Sequence, residues 1–278
     1  MTLITSPQNA TVKAARKLTG RRGRARAAGA VLVEGPEVLR AAAAALEQVF
    51  LAETADAVAR AAAEAAAARG VPVARVTPSV LATLADTTTP RGVVGVARLE
   101  RPAAAEVLAG ARLTLLCCDV ADPGNLGTII RTADAAGADA VLVTAGSVDP
   151  GNPKAVRASA GSLFHLPVLD GLAPLDALAA ARAAGLRTVA TDAAATVAHD
   201  ETDLARPTML VLGGEAHGLP AQVRERCDTT VAVPMRTTPR PGYAGVAESL
   251  NLAATAAVLA FEAARQRRAR AGGRRGAA

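Results

Sequence analysis

Aromatic side chains are nearly missing from this chain, whose 278 residues include no tryptophan, one tyrosine and three phenylalanines. A core of that size has to be assembled from Val, Leu and closely packed Ala, without large ring anchors. Cysteine is scarce too, with three copies in no metal pattern. Cys117 and Cys118 are adjacent in an apolar run, and neighbours on a strand face opposite ways, which argues against both a chelate and a disulfide. Cys227 stands alone. Buried, reduced thiols in a cytoplasmic protein are the expectation. The three histidines have no partners at metal-ligand spacing, and no Ser/His/Asp nucleophile arrangement is evident, so no metal is expected. Of the three, His217 alone lies in a glycine-rich motif. No apolar stretch follows the basic N-terminal residues as a signal peptide would require. The most apolar helix candidate, 250–261, is too short to span a bilayer.

Acidic residues are absent from both ends. Residues 1–33 carry seven bases (Lys13, Arg16, Lys17, Arg21, Arg22, Arg24, Arg26) and 263–278 carry six arginines. The body between them holds the remaining 18 bases against all 25 acids, a formal charge of −7 within a chain of net +6. An acidic body with two basic ends reads as a polyanion binder whose contacts are concentrated at those ends. A solvated arginine-rich arm and tail would look the same by charge alone.

The periodicity alternates strand and helix, which argues for an α/β layer structure. In the first half, strands are expected at 30–33, 49–52, 71–76 and 93–98. Helices are expected at 10–18, from 36 through about 48, at 55–69 and at 79–85. A first domain over 1–98, a Pro-containing linker over 99–111 and a second domain over 112–267 follow from this, with 268–278 as a disordered basic tail. The second domain repeats the alternation more regularly. Strands are expected at 113–119, 140–143, 187–191, 208–213 and 230–233. Helices are expected at 126–136, 153–160, 174–184, 220–227 and from 250 to about 267. Runs as apolar as 113–119 suit parallel strands buried on both faces, and such sheets bind ligands at the strands' carboxyl ends.

Three short segments fall at those ends. Asp122-Pro-Gly-Asn-Leu-Gly-Thr-Ile-Ile-Arg131 turns out of a strand into a helix. Asn125 suits a helix start, and Arg131, nearly two turns on, is read as facing about the same way. Leu212-Gly-Gly-Glu-Ala-His-Gly-Leu219 ends an apolar strand in glycines that allow close backbone approach, with the Glu215 carboxylate on the loop. Its spacing matches neither the dinucleotide fingerprint nor a P-loop. Glu248-Ser-Leu-Asn251 opens a strongly apolar helix. Taken singly, each is equally well read as a cap or a polar turn. The basic loop before the third segment offers Arg236, Arg240 and Tyr243 for charge and stacking on RNA.

Together and in this order the three segments resemble the signature motifs of the SpoU (TrmH-like) RNA ribose 2′-O-methyltransferases. Thr89-Pro-Arg-Gly-Val-Val-Gly-Val96 and Lys154-Ala-Val-Arg-Ala-Ser-Ala-Gly-Ser-Leu-Phe-His-Leu-Pro167 also look like stretches common in that family. Ile4-Thr-Ser-Pro-Gln-Asn and Leu32-Val-Glu-Gly-Pro resemble a ribosomal-protein-like substrate-binding domain. The resemblance implies a C-terminal SPOUT domain, a Rossmann-like parallel sheet closed by a trefoil knot, preceded by a smaller α/β domain. It implies a homodimer with S-adenosylmethionine as cofactor and RNA as partner. It places Asn125, Arg131, Glu215, Ser249 and Asn251 in the catalytic site. It places Thr191, Leu212, Gly213, Gly214, Gly218, Val233, Pro234 and Leu250 around the methyl donor. Lys13, Arg16, Lys17, Arg21, Arg22, Lys154 and Arg157 are assigned to RNA. Large-subunit (23S) ribosomal RNA is the expected substrate. A transfer RNA, a resistance-conferring ribosomal methylation and a non-catalytic RNA-binding or assembly role stay open. Gly214 stands where the family commonly has Asn, and the loop 235–248 is longer than usual.

Overall fold

The computed structural model describes residues 3–26, 29–242 and 244–275. The chain divides into two compact units: residues 1–101 with Asp149–His165, and Pro102–Val148 with residues 166–278.

The first unit begins with α1 (Ala10–Arg16), capped by the Asn9 side chain, and α2 (Arg21–Arg26). It continues through β1 (Ala30–Glu34), α3 (Pro36–Ala41), β2 (Leu46–Ala52), α4 (Ala57–Ala68), β3 (Val73–Val76), α5 (Pro78–Ala82) and β4 (Val93–Arg98). Its four strands are ordered β1-β4-β2-β3, with β4 antiparallel to both neighbours and β2 parallel to β3. The helix expected through about residue 48 stops at Ala41, and strand pairing begins at Leu46. Alanine tolerates either state, and the ladder to β4 decides the outcome.

The second unit holds α6 (Ala104–Leu108), β5 (Leu113–Cys117), α7 (Pro123–Ala135) and β6 (Ala140–Thr144). The chain then supplies α8 (Pro153–Ala158) to the first unit before returning as β7 (Val168–Leu172). There follow α9 (Pro174–Ala183), β8 (Arg187–Thr191), β9 (Thr208–Leu212), α10 (Ala221–Arg224), β10 (Thr229–Val231) and α11 (Leu252–Arg275). Six parallel strands run in the order β10-β8-β9-β5-β6-β7. Strands β5, β6 and β9 are buried along their whole length, as parallel strands covered on both faces should be. Strand β7 escapes the hydrophobic pattern because it is an edge strand containing Asp170 and a positive-φ Gly171.

Part of each basic segment is spent internally. Arg24, 6% exposed, pairs through Nε with Asp149 at 2.7 Å, so it is a structural residue of the first unit. The segment from 268, expected to be disordered, is helical through Arg275. Gln266 Nε2 donates to the Thr202 carbonyl at 3.0 Å, and its Oε1 accepts from the Leu204 amide at 2.8 Å. Arg267 donates to the carbonyls of Arg112 and Arg206, and Arg270 pairs with Asp203 at 2.8 Å. Hydrogen bonds from Arg265 and Gln266 outweigh burial and hold Glu262 at about 2, so it stays ionised at any ordinary pH. Gln266→Ala strips partners from two backbone groups and should cost about 1–3 kcal/mol, read as a lower urea midpoint at unchanged slope. An unaltered midpoint would show that α11 does not need this clamp. Removing residues 266–278 would therefore remove this clamp as well as charge. No helix among the described residues is long and apolar enough to cross a membrane.

Candidate active site

Because the six strands are parallel, the loops after β5, β8, β9 and β10 open on one edge of the sheet. All three sequence motifs meet there. After β5 the backbone enters α7, whose cap is Asp122 rather than Asn125: its Oδ1 accepts from the Asn125 amide at 2.8 Å, and Pro123 fills the first turn. This leaves the Asn125 side chain free for the site. Leu126, Ile129, Ile130 and Ala133 form the buried stripe of α7, the spacing of an amphipathic helix.

The loop after β9 explains its glycines by contact. A Cβ on Gly213 would sit 2.2 Å from the Gly218 carbonyl carbon and 2.3 Å from the Leu219 nitrogen. One on Gly214 would sit 2.4 Å from the Asp119 oxygen. The loop folds back on itself, with the Gly218 amide donating to the Gly214 carbonyl at 2.9 Å. Gly218 has φ +65 and open space around it, so its requirement is conformational.

A hydrogen-bonded relay joins the motifs. Asn251 Nδ2 donates to Asn125 Oδ1 at 3.1 Å, and Asn125 Nδ2 donates to Glu215 Oε1 at 2.7 Å. Glu215 Oε2 accepts from the Ala121 amide at 3.3 Å. Asn251 also starts α11, since its Oδ1 accepts from the amides of Ala253 at 2.9 Å and Ala254 at 3.3 Å. Asn251 is therefore a helix cap and a member of the relay at once, on different atoms of one amide. Burial by itself would raise the Glu215 pKa, but the Asn125 and backbone hydrogen bonds prevail and lower it. Glu215 is thus an ionised acceptor that fixes the Asn125 amide, and a poor proton acceptor.

Beside the relay lies a cleft of about 510 Å³. Of the residues expected around the methyl donor, Thr191, Gly213, Gly214, Gly218, Val233 and Leu250 line it, joined by Glu215, Ser249 and Asn251. Thr191 Oγ1 donates to the Val211 carbonyl at 3.2 Å and ties the end of β8 to β9. Leu212 and Pro234 are not on the wall: Leu212 is wholly buried with its carbonyl taken by the Cys118 amide, and Pro234 is exposed. Asp192, Arg224, Met235 and Thr255 line it unanticipated, Asp192 and Arg224 as an ion pair. Asp192 was legible as the residue following a strand end, whereas Arg224 had no sequence signal.

Arg131 is not among the cleft residues. Six residues turn a helix by about 600°, some 120° short of two full turns, so its direction departs from that of Asn125. It is exposed, and among the described residues it has no hydrogen-bond or ion-pair partner. Lys13, Arg16 and Lys17 are exposed on one side of the first turns while Val12, Ala15 and Leu18 are buried on the other. Arg21, Arg22, Lys154 and Arg157 are also exposed, Arg157 paired with Asp86. Arg236 and Arg240 lie in the exposed loop before the third motif, and Tyr243 lies outside the described residues. Burial raises the thiol of Cys117, and pushes those of Cys118 and Cys227 up to about 12 and about 11, so none is a nucleophile at neutral pH. No group of three His, Cys, Asp or Glu among the described residues is arranged to hold a metal.

Comparison with known proteins places these features in one family. Residues 112–261 match the model of the SpoU rRNA methylase family, and residues 9–95 match the MRM3-like substrate binding domain. An uncharacterized tRNA/rRNA methyltransferase of Synechocystis is 37% identical over 95% of this chain and 93% of its own length. The 23S rRNA (uridine(2479)-2′-O)-methyltransferase of Streptomyces viridochromogenes is 42% identical over 52% of this chain and 50% of its own. The 23S rRNA (guanosine(2553)-2′-O)-methyltransferase of Bacillus subtilis is 38% identical over 63% and 66%. The chain thus spans half to two thirds of these last two relatives. The AdoMet-bound rRNA methyltransferase of Sinorhizobium meliloti superimposes with a TM-score of 0.82 at 30% identity, covering 95% of this chain and 97% of that one. A family model covering more than half of the chain, a near full-length relative and a shared fold agree with the relay of three motifs: this chain belongs to the SpoU rRNA methylase family.

Proposed function

We propose that this protein transfers a methyl group from S-adenosylmethionine to a ribose 2′-hydroxyl in structured RNA, with 23S ribosomal RNA as the substrate. The observation that carries this reading is the Asn251–Asn125–Glu215 relay at the rim of the cleft. The cleft fits an adenosine-containing cofactor. Apolar Val231, Val233 and Leu250 suit a purine, Thr191 and Ser249 offer hydroxyls, and the bare backbone at Gly213 and Gly214 permits close approach. When bound, the cofactor supplies the electrophilic methyl carbon. The chain's own task is to hold the acceptor in line and to exclude competing geometry. Glu215 fixes Asn125, and Asn125 fixes Asn251, so the polar rim is organised before substrate arrives. Arg131, always protonated, serves the adjacent phosphate and the charge developing on the acceptor oxygen.

A homodimer belongs to this reading, because an exposed Arg131 reaches an acceptor site most simply when a second copy completes it. So does the C-terminal knot, supported by α11 packing on α7 and β9 after the chain leaves edge strand β10. The domain division at 1–98, 99–111 and 112–267, with Asp149–His165 packed into the first unit, and a cytoplasmic location, complete it. The exposed bases of α1 and α2 then serve RNA. Replacing Lys13, Arg16 and Lys17 together by Ala should weaken RNA binding and flatten its salt dependence by about two log units per decade of salt, with the affinity for S-adenosylhomocysteine unchanged. An unaltered slope would move the RNA interface elsewhere.

The reading is tested by mapping ribose methylation in ribosomal and transfer RNA from cells with and without the gene. One site lost in its absence and restored by the wild-type chain is expected. No change at any site, with no cofactor binding by the purified protein, would overturn it.

A further inference from the structure

A second cavity, of about 560 Å³, opens on the Gly214–Gly218 loop. It shares Gly214, Glu215, His217 and Gly218 with the first cleft, so the loop is a wall common to both. Ala121, Ala216 and Pro220 give it apolar surface. Asp119, also on its wall, is the first residue past the second buried cysteine at the end of β5. The Asp119 backbone is fixed on two sides, its amide donating to Thr144 Oγ1 at 3.2 Å and its carbonyl packing where Gly214 lacks a Cβ. Among the described residues its carboxylate has no hydrogen-bond or ion-pair partner.

We propose that this cavity receives the base of the nucleotide being methylated, and that the Asp119 carboxylate selects guanine. The inference rests on the ribose-methylation reading above. The base is attached to C1′, one bond from the C2′ that carries the acceptor oxygen. A pocket for the base must therefore open directly beside the relay, and Glu215 belongs to both. A flat ring suits the apolar surface, and an anionic wall disfavours the RNA phosphate, which leaves the base as occupant. Guanine alone among the four bases presents two adjacent N–H donors, N1–H and N2–H, to one carboxylate. Uracil presents its single N3–H between two carbonyl oxygens that the carboxylate repels. The named relatives act on a uridine in one case and a guanosine in another. The family fold thus accommodates either base.

The test uses the full chain saturated with S-adenosylhomocysteine and four RNA pentanucleotides that differ only at the central base. The central-G oligonucleotide should bind about tenfold or more tighter than the central-U one, the scale of one bidentate contact. Asp119→Asn and Asp119→Gly should each bring the two within about threefold, with unchanged thermal midpoint or a higher one, and unchanged S-adenosylhomocysteine affinity. Both substitutions suit the backbone, since φ at Asp119 is +55 and Asn and Gly adopt that region readily. No preference for G in the wild-type chain, or a preference that survives both substitutions, overturns the assignment. Failure of the wild-type chain to bind S-adenosylhomocysteine would instead sink the methyltransferase reading itself.

Discussion

Arg131→Ala is expected to lower kcat/KM for RNA methylation by about 10³-fold or more while leaving S-adenosylhomocysteine affinity within about twofold. The magnitude is that of removing one preorganised charge from a developing oxyanion, about 4 kcal/mol of barrier. The split follows from position. The guanidinium is exposed on α7 and absent from the cleft wall, so nothing in the cofactor's surroundings is disturbed by its loss. Isotope-labelled methyl transfer and calorimetry on the same preparation check the two halves. Parallel loss of both would make Arg131 a structural residue.

The same variant tests whether the site is shared. Mixing Arg131→Ala subunits with Asn125→Ala subunits should regain about a quarter of wild-type activity if each site draws the two residues from different copies. Half of the randomly formed dimers would then hold one intact site of two. If both residues serve within one copy, the mixture stays inactive.

Gly213→Ala should abolish cofactor binding, with affinity for S-adenosylhomocysteine falling about 100-fold or more. The added methyl group would lie 2.2–2.6 Å from backbone atoms of Gly218 and Leu219. Backbone cannot swing aside as a side chain can, so the loop from Gly214 to Gly218 has to open, and with it the wall of the cleft. Overpacking of this kind costs about 1–3 kcal/mol or more in stability as well. Gly218→Ala is the control. Nothing lies within 4 Å of its would-be Cβ, so it should pay only the cost of a left-handed residue, about 1–2 kcal/mol, and retain most of its affinity. Equal behaviour of the two variants would refute the steric account of this loop.

The strands of the second unit were legible because parallel strands buried on both faces are written as unbroken apolar runs, as in Leu113–Cys117 and Thr208–Leu212. The edge strand Val168–Leu172, interrupted by Asp170 and Gly171, carried no such mark. The alanines before Leu46 have no period of their own, and pairing with β4 draws the residues after them into a strand. Asp122-Pro-Gly-Asn identified the start of α7 but not which side chain caps it, because Asp and Asn are chemically equivalent for that task. The C-terminal arginines read as a free tail because composition does not reveal acceptors. Arg267 and Arg270 find theirs in the loops before β5 and β9.

By itself the sequence determined the α/β class, the three motifs and their order, and the chemistry their side chains can perform. These are properties of local spacing and residue type. Only the tertiary structure decided that Asn125, Glu215 and Asn251 form one relay, since their contacts join positions 90 and 126 residues apart. It alone removed Leu212 and Pro234 from the cleft wall and turned Arg131 away from it. Parallel pairing brings the ends of distant strands to one edge, and helix rotation sets which side chains face it. Neither distance nor direction between remote segments is encoded in either segment alone.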